Sequence, residues 1–462
     1  MAERTPTGDL VVCVDFGSTF TKAALVDSAG GVLLATTQHR TTVDTDVLDG
    51  YDACRVALAE RHPDARTAPT LACSSAGGGL RVAVLGNEAL VTAEAGRRVA
   101  LSSGGKVVAV LSSERLRGDL DRTIDDAAPD VLLLTGGTDG GDRAAVLGAA
   151  REIASTSWSG PVVLAGNVEA RDEVGDVLGH LPLATAGNVV PRIGVLAPES
   201  ARQAIREVFL AHVIGGKHLS ARADFAAMVL GATPDVVLTG VEVLAGEVGG
   251  TAPGSGVVVV DIGGATTDVH SVVVLDPEDA GLSREVVATT PVTRTVEGDL
   301  GMRWSASTAA AAAREAGLAV PTEAVRRAAD PAYLPDEEGR PGDEAIATAA
   351  SVLAMRRHAG RSQVVVSSDG RIVERTGKDL RAVELVVGSG GVLRSSGPAA
   401  AARILGAATG VDPDGWQLPE RPRLVVDTHS VLAVAGLLAL SGLPDARERA
   451  RRVVCNSLST WR

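Results

Sequence analysis

Aromatic side chains are scarce in this chain of 462 residues: four Trp, two Tyr and four Phe make up 2% of it. That leaves no material for base-stacking platforms or a large aromatic cofactor box. Cysteine is as sparse. Cys13, Cys54, Cys73 and Cys455 lie far apart with no Cys-x-x-Cys pair, which argues against a zinc knuckle or a disulfide framework and fits a reducing cytoplasm. No apolar run approaches the ~20 residues needed to span a bilayer. The longest, Val431 to Leu440, reads as a buried helix. The opening MAERTPTGDL shows no basic region followed by an apolar one, so no secretory leader is expected. Positive charge is also short, with 44 Lys and Arg against 57 Asp and Glu, a net −13, and no dense basic run. Nucleic acid and anionic membrane are therefore disfavoured as partners.

What is present is ordinary globular material, 45% hydrophobic and 22% charged, enough for a large core. At roughly 150 residues per domain the length suggests two to four domains. The 53 glycines point to turns and close backbone approach. In LVVCVDFGSTFTKAALVDSAG an apolar run reaches Asp15, a Gly/Ser/Thr turn follows, and a second apolar run ends at Asp27; this predicts a β-hairpin with a polar tip. GVVVVDIGGATTDVHSVVVLD repeats the grammar from Val257 to Leu275. Aligning Asp15 with Asp261 also aligns Gly17 with Gly263 and Thr21 with Thr267, 246 residues apart. That interval is too long for a solenoid and predicts two similar domains, each opening with the hairpin.

Between the copies, Val131 to Leu134 ends in TGGTDGGD, a helical stretch runs through Ala154, and Val162 to Leu164 ends in AGN. Strand, glycine loop, helix, strand is a βαβ unit. An apolar segment at Val189 to Leu196 and a helix with Ala201 to Val213 are read with it as an inserted layer. After the second hairpin come an alanine-rich helix, a Pro/Gly/acid loop from Asp330 to Glu344, and a helix from Ala345 to His358. A strand from Glu384 to Val387 then feeds Gly388-Ser-Gly-Gly391, and a strand from Arg423 to Val426 ends at Asp427.

Two Asp-x-Gly hairpins suit a nucleotide clamp. Turn N–H groups approach phosphate oxygens, Ser/Thr hydroxyls add donors, and a strand-end carboxylate holds Mg²⁺. Asp15 and Asp261 are the catalytic and metal candidates. Gly17, Ser18, Thr19 and Lys22 serve one side of the phosphate chain, and Gly263, Gly264, Thr266, Thr267 and Asp268 the other. Gly388, Gly390 and Gly391 follow a strand and open a helix, where N–H groups favour phosphate or a ribose hydroxyl. One such hairpin alone reads equally well as a tight turn; the ordered pair carries the expectation. The Thr135 to Asp142 loop, with its two carboxylates, reads rather as a subdomain turn or a partner contact.

Other chemistries lack their residues. Both Gly-Gly-Lys sequences, at Lys106 and Lys217, lack the following Ser/Thr of a Walker loop. No G-x-S-x-G elbow comes with triad partners, and the eight His form no H-E-x-x-H. A corrinoid-binding Asp-x-His-x-x-Gly would need glycine where His270 and His429 are followed by Val273 and Leu432.

The ordered motifs DFGSTFTK, TPDVVLTGVEVLAG, DIGGATTD, VVGSGGV and THSVLAVAGLLAL resemble the phosphate loops, connecting helices and adenosine loop of the superfamily of actin, sugar kinases and heat-shock chaperone ATPases. Within it, SSAGGGLRV, LLLTGGTDGGD, DIGGATTDVHSV and RTVEGDLGMRWSA resemble the MutL/GlmL family associated with glutamate mutase, which is unrelated to the mismatch-repair proteins that share its name. The resemblance spans nearly the whole chain. It implies an α/β fold of duplicated ribonuclease-H-like domains with an inserted α/β subdomain. It also implies an accessory ATPase using ATP and Mg²⁺, with slow hydrolysis, that reactivates an adenosylcobalamin-dependent mutase by letting damaged cobalamin leave. Two departures stand out. Thr233 precedes Pro234 where related chaperone ATPases place an acid, and only Lys106 and Lys217 are at hand for their catalytic lysine.

The expected boundaries are 1–125 for the first part of the first ATPase domain, 126–220 for the insertion, 221–250 for a connecting helix region, 251–425 for the second ATPase domain and 426–462 for a C-terminal connecting helix. The alternatives are a small-molecule kinase of the same superfamily, with Asp139, Asp299 or another acid as its catalytic residue, or a nucleotide-regulated scaffold or filament. A homo-oligomer is compatible with any of them.

Overall fold

The computed structural model describes residues 9–88, 91–112, 120–276, 289–330, 333–367 and 370–458. They divide into two compact units. The first holds the described residues up to Gly240 together with Ala433–Ser457, and the second those from Val241 to Leu432 with Leu458.

In the first unit, strands β1 (Leu10–Phe16), β2 (Phe20–Asp27), β3 (Val32–Arg40) and β4 (Thr70–Ser74) open a sheet. Strands β5 (Leu80–Gly86), β6 (Gly105–Ser112), β7 (Val131–Leu134), β8 (Val162–Leu164) and β9 (Leu183–Thr185) form another, and β10 (Val229–Ala232) returns to the first. The first sheet has the order β10-β4-β1-β2-β3, with β1, β2 and β3 antiparallel and β1, β4 and β10 parallel. Every residue of β1 is buried. That is what a central strand covered on both faces requires of its sequence, and LVVCVDF meets it.

The second sheet, β5 to β9, is wholly parallel in the order β6-β5-β7-β8-β9. This is a doubly wound sheet whose order reverses between β5 and β7. Its strands begin at Leu80, whereas the sequence reading starts the insertion at 126. The change of sheet between β4 and β5 is hidden in the short Ser-Ala-Gly-Gly-Gly turn at 75–79, which gives no long linker to read. The Val189 to Leu196 segment forms no strand; it lies alongside the glycine loop, with Asp139 N donating to Pro191 O at 3.1 Å.

The second unit repeats the first sheet. Strands β11 (Gly256–Ile262), β12 (Thr267–Val273) and β13 (Val292–Glu297), a hairpin of β14 (Arg361–Ser367) and β15 (Gly370–Thr376), then β16 (Leu385–Ser389) and β17 (Arg423–Val426) follow in chain order. The five-stranded sheet runs β13-β12-β11-β16-β17, with β11, β12 and β13 antiparallel and β11, β16 and β17 parallel. Strand for strand this is the first sheet again, the three-antiparallel, two-parallel ribonuclease-H-like order. The helix Arg340–His358 packs on it through Ile346, Ala347, Ala350 and Ala354; alanines let a helix lie close to a sheet.

Two helices carry the chain across the division at 240/241 and 432/433: Thr233–Val248 and Val431–Leu440. Within the first unit they cross closely, since a Cβ added at Gly436 would collide with Val236 O. Asp427 caps the second helix, its two carboxylate oxygens accepting from Val431 N at 2.8 Å and Leu432 N at 3.1 Å.

Candidate functional site

The two hairpin turns are built alike. Gly17 N donates to Phe20 O at 3.2 Å, and Gly263 N to Thr266 O at 2.9 Å. Each turn places an aspartate one residue before the end of the leading strand, Asp15 in β1 and Asp261 in β11.

Their surroundings differ. Asp15 is buried and stands opposite Lys22 on β2 and Cys73 on β4. Its Oδ1 accepts from Thr233 Oγ1 at 2.7 Å and from Cys73 Sγ at 3.7 Å, and its Oδ2 lies 3.6 Å from Lys22 Nζ. Thr233, the departure noted in the sequence, therefore fixes this carboxylate from the first turn of its helix. Burial, with the Asp15 charge beside it, pushes the Cys73 thiol well above its ordinary range. Ser18 and Thr19 are exposed at the tip, and Thr41 Oγ1 ties the turn down by donating to Gly17 O at 2.7 Å.

Asp261 is only half-buried and stands opposite Asp268 on β12 and Ser389 on β16. Among the described residues its carboxylate has no hydrogen-bond or ion-pair partner in the protein. Asp268 is engaged: Oδ1 accepts from Arg294 Nη2 at 2.8 Å and Nε at 3.2 Å, and Oδ2 from Thr266 Oγ1 at 3.4 Å. Burial still raises the Asp268 carboxyl above the usual carboxylate range, with Arg294 opposing and Asp261 adding to the rise. Thr267 Oγ1 is spent on Leu300 O at 2.7 Å, whereas Gly264 is exposed with open space where a Cβ would stand.

The glycine loop after β16 lies beside the second hairpin. Gly390 has φ +109°, and a Cβ there would collide with Ile262 O at the end of β11, so only glycine lets this loop reach Asp261's strand. Gly388 is packed against Leu393 and Leu405, while Gly391 is open. The structure thus brings Asp261, Gly263, Gly264, Thr266, Asp268, Gly390 and Gly391 to one end of the second sheet, and Asp15, Gly17, Ser18, Thr19 and Lys22 to the equivalent end of the first.

Magnesium commonly takes one or two carboxylates and fills its remaining positions with phosphate oxygens and water. Among the described residues no group of three or more His, Cys, Asp or Glu would hold a metal by itself. Asp261, half-exposed and unengaged beside the open Gly264, has the donor chemistry for such an ion. Asp15, both of whose oxygens are taken, fits better as the group that orients Lys22.

Lys106 is exposed on β6, whereas three other sequence candidates are occupied. Lys217 Nζ pairs with Asp130 at 3.2 Å. Asp299 is held by Arg357 through contacts of 2.7 and 2.9 Å. Asp139 Oδ1 accepts from Asn188 Nδ2 at 2.9 Å and Val168 N at 3.2 Å. The last contact belongs to a brace: Asn167 and Asn188, from the ends of β8 and β9, also donate to Gly141 O and Gly137 O. Sequence reasoning missed the Arg294 and Thr233 partners, because each lies far along the chain from the aspartate it serves.

Residues 11–457 match the family described as MutL protein. Protein MutL of Clostridium tetanomorphum is 35% identical over 460 residues, covering 96% of this chain and 98% of that one. Among solved structures, ethanolamine utilization protein EutJ from Carboxydothermus hydrogenoformans is 12% identical, with 95% of this chain and 92% of that one covered and a TM-score of 0.28. Xylulose kinase from Bifidobacterium adolescentis is 12% identical, with 93% and 100% covered and a TM-score of 0.25.

Proposed function

This chain belongs to the MutL protein family, and from that premise we propose that it is an ATP-binding, slowly ATP-hydrolysing accessory protein that reactivates an adenosylcobalamin-dependent mutase, such as glutamate mutase or an aminomutase. The observation that carries the reading is the repeated sheet, with an aspartate and a glycine turn at the same place in both copies and a glycine loop beside the second.

In this reading Gly17, Ser18, Thr19 and Lys22 hold phosphate oxygens from the first hairpin, and Gly263, Gly264 and Thr266 from the second. Gly390 and Gly391 serve the nucleoside end. Asp261 is the metal carrier and Asp15 orients Lys22. Bound Mg²⁺ would supply charge neutralisation at the phosphate oxygens. Phosphoryl transfer asks a protein mainly for positioning and such neutralisation, and these residues offer both. With no Asp-x-His-x-x-Gly in the chain, the corrinoid is assigned to the partner. A kinase would need an acid free to take a substrate proton, and Asp139 and Asp299 are both engaged.

The test is a purified cobalamin mutase inactivated by a damaged cofactor. Activity restored by this chain with ATP, and not without nucleotide, is the expected result. Transfer of phosphate from ATP to a small molecule without any mutase would overturn the reading in favour of the kinase.

A further inference from the structure

The segment between β13 and the helix Ala306–Glu315 is strapped to the second phosphate loop. Met302 N donates to Gly263 O at 3.0 Å, Arg303 N and Trp304 N both donate to Gly264 O at 2.8 and 3.0 Å, and Ser305 Oγ donates to Ala265 O at 2.7 Å. From this strap the Arg303 side chain turns inward. It reaches Asp343 Oδ2 at 2.6 Å and Tyr333 O at 3.1 Å, and its guanidinium lies 5.2 Å from the centre of the Tyr333 ring. The pair is nearly buried, with Arg303 12% and Asp343 8% exposed.

The neighbours of these two anchors point the other way. Trp304, next to Arg303, is 72% exposed, and Leu334, next to Tyr333, is 79% exposed. A chain with so few aromatics leaves one of its four tryptophans almost bare beside a candidate phosphate loop. Large exposed apolar side chains held on a rigid base are what protein interfaces use as anchors. The adjoining Asp336 and Glu337 are exposed and acidic, while Glu338 beside them is paired with Arg327 at 3.3 Å, so the complementary surface is an apolar pocket with basic side chains on the rim that meets Asp336 and Glu337.

We propose that Trp304 and Leu334 form a contact patch for a protein partner with such a basic-rimmed pocket, and that the strap links the patch to the second phosphate loop. The proposal rests on the nucleotide-dependent partner reading above and names the surface that serves it. A shift at Gly263–Ala265 is passed to Trp304 through four hydrogen bonds, while Arg303 and Asp343 fix the other end.

The experiment uses the full chain and the variants Trp304→Ala and Leu334→Ser. Binding to an immobilised cobalamin mutase is measured in ATP and in ADP, and ATP affinity is measured by calorimetry. Both variants are expected to bind ATP within about twofold of the wild type and the mutase at least about tenfold more weakly. Undiminished mutase binding by both variants overturns the patch alone. No mutase binding by the wild-type chain in either nucleotide overturns the partner reading and the patch with it. Comparing the wild type with Trp304→Phe isolates the Trp304 emission. It is expected to change when ATP binds; binding without that change overturns the link to the phosphate loop.

Discussion

In the first sheet the strand-end aspartate faces Lys22 across the hairpin, and in the second its counterpart faces Asp268. The strand order, the turn hydrogen bond and the aspartate's place are shared. The cross-strand neighbour, which register alone decides, makes one carboxylate a buried, three-partner anchor and leaves the other half-exposed and unengaged. A repeated backbone therefore repeats positions, not chemistry. In the second copy the added negative charge is answered from a third strand by Arg294, a residue with no role in the hairpin motif.

Four expectations would break or sharpen this contrast. If Asp261 is the metal carrier, Asp261→Ala lowers ATP turnover about a thousandfold and Asp15→Ala only about tenfold; equal losses would erase the distinction. Arg294→Met should destabilise the protein by about 3 kcal/mol at neutral pH, because Asp268 is left as an uncompensated, largely buried charge. Denaturant titration should show the deficit shrinking at lower pH as Asp268 takes up a proton. A deficit that does not vary with pH would mean that packing, not charge, dominates the site.

Gly390→Ala should cost about 2 kcal/mol through the positive φ and the collision with Ile262 O, with the fall seen in the melting of the second unit. The last expectation concerns the pH dependence set by two histidines. His270 and His358, both in the second unit, are the buried histidines among the described residues. Burial holds both well below the ordinary value, helped by Arg294 at His270 and Lys378 at His358. The folded state keeps them neutral while the unfolded chain protonates below about pH 6.5. Stability is therefore full above that pH and falls below it, by up to about 1.4 kcal/mol per pH unit for each histidine. Denaturation between pH 7.5 and 5 should show the second unit weakening first, and His358→Phe should flatten the slope.

Much of this was legible in residues. Continuous apolar runs ending in Asp-x-Gly marked both hairpins, and Arg423–Val426 and Val431–Leu440 appear at their expected bounds. Local periodicity carries such elements. It does not carry pairing at a distance, which is why the insertion's first two strands were not separable from the first sheet. The same limit hid Thr233 behind Asp15, 218 residues away, and Asp427 as the cap of a helix legible only by its apolarity. Glycines divided along physical lines too: Gly390 is required by the chain's conformation, Gly388 by the leucines packed against it.

The central claim, that the repeated hairpins are nucleotide-binding elements with unequal carboxylates, meets its most direct test in calorimetry of Mg·ATP binding to the wild type, Asp15→Ala and Asp261→Ala. The account predicts binding by the wild type, weaker binding by Asp15→Ala, and loss of the magnesium dependence in Asp261→Ala alone. Three proteins with the same affinity and the same response to magnesium would contradict it.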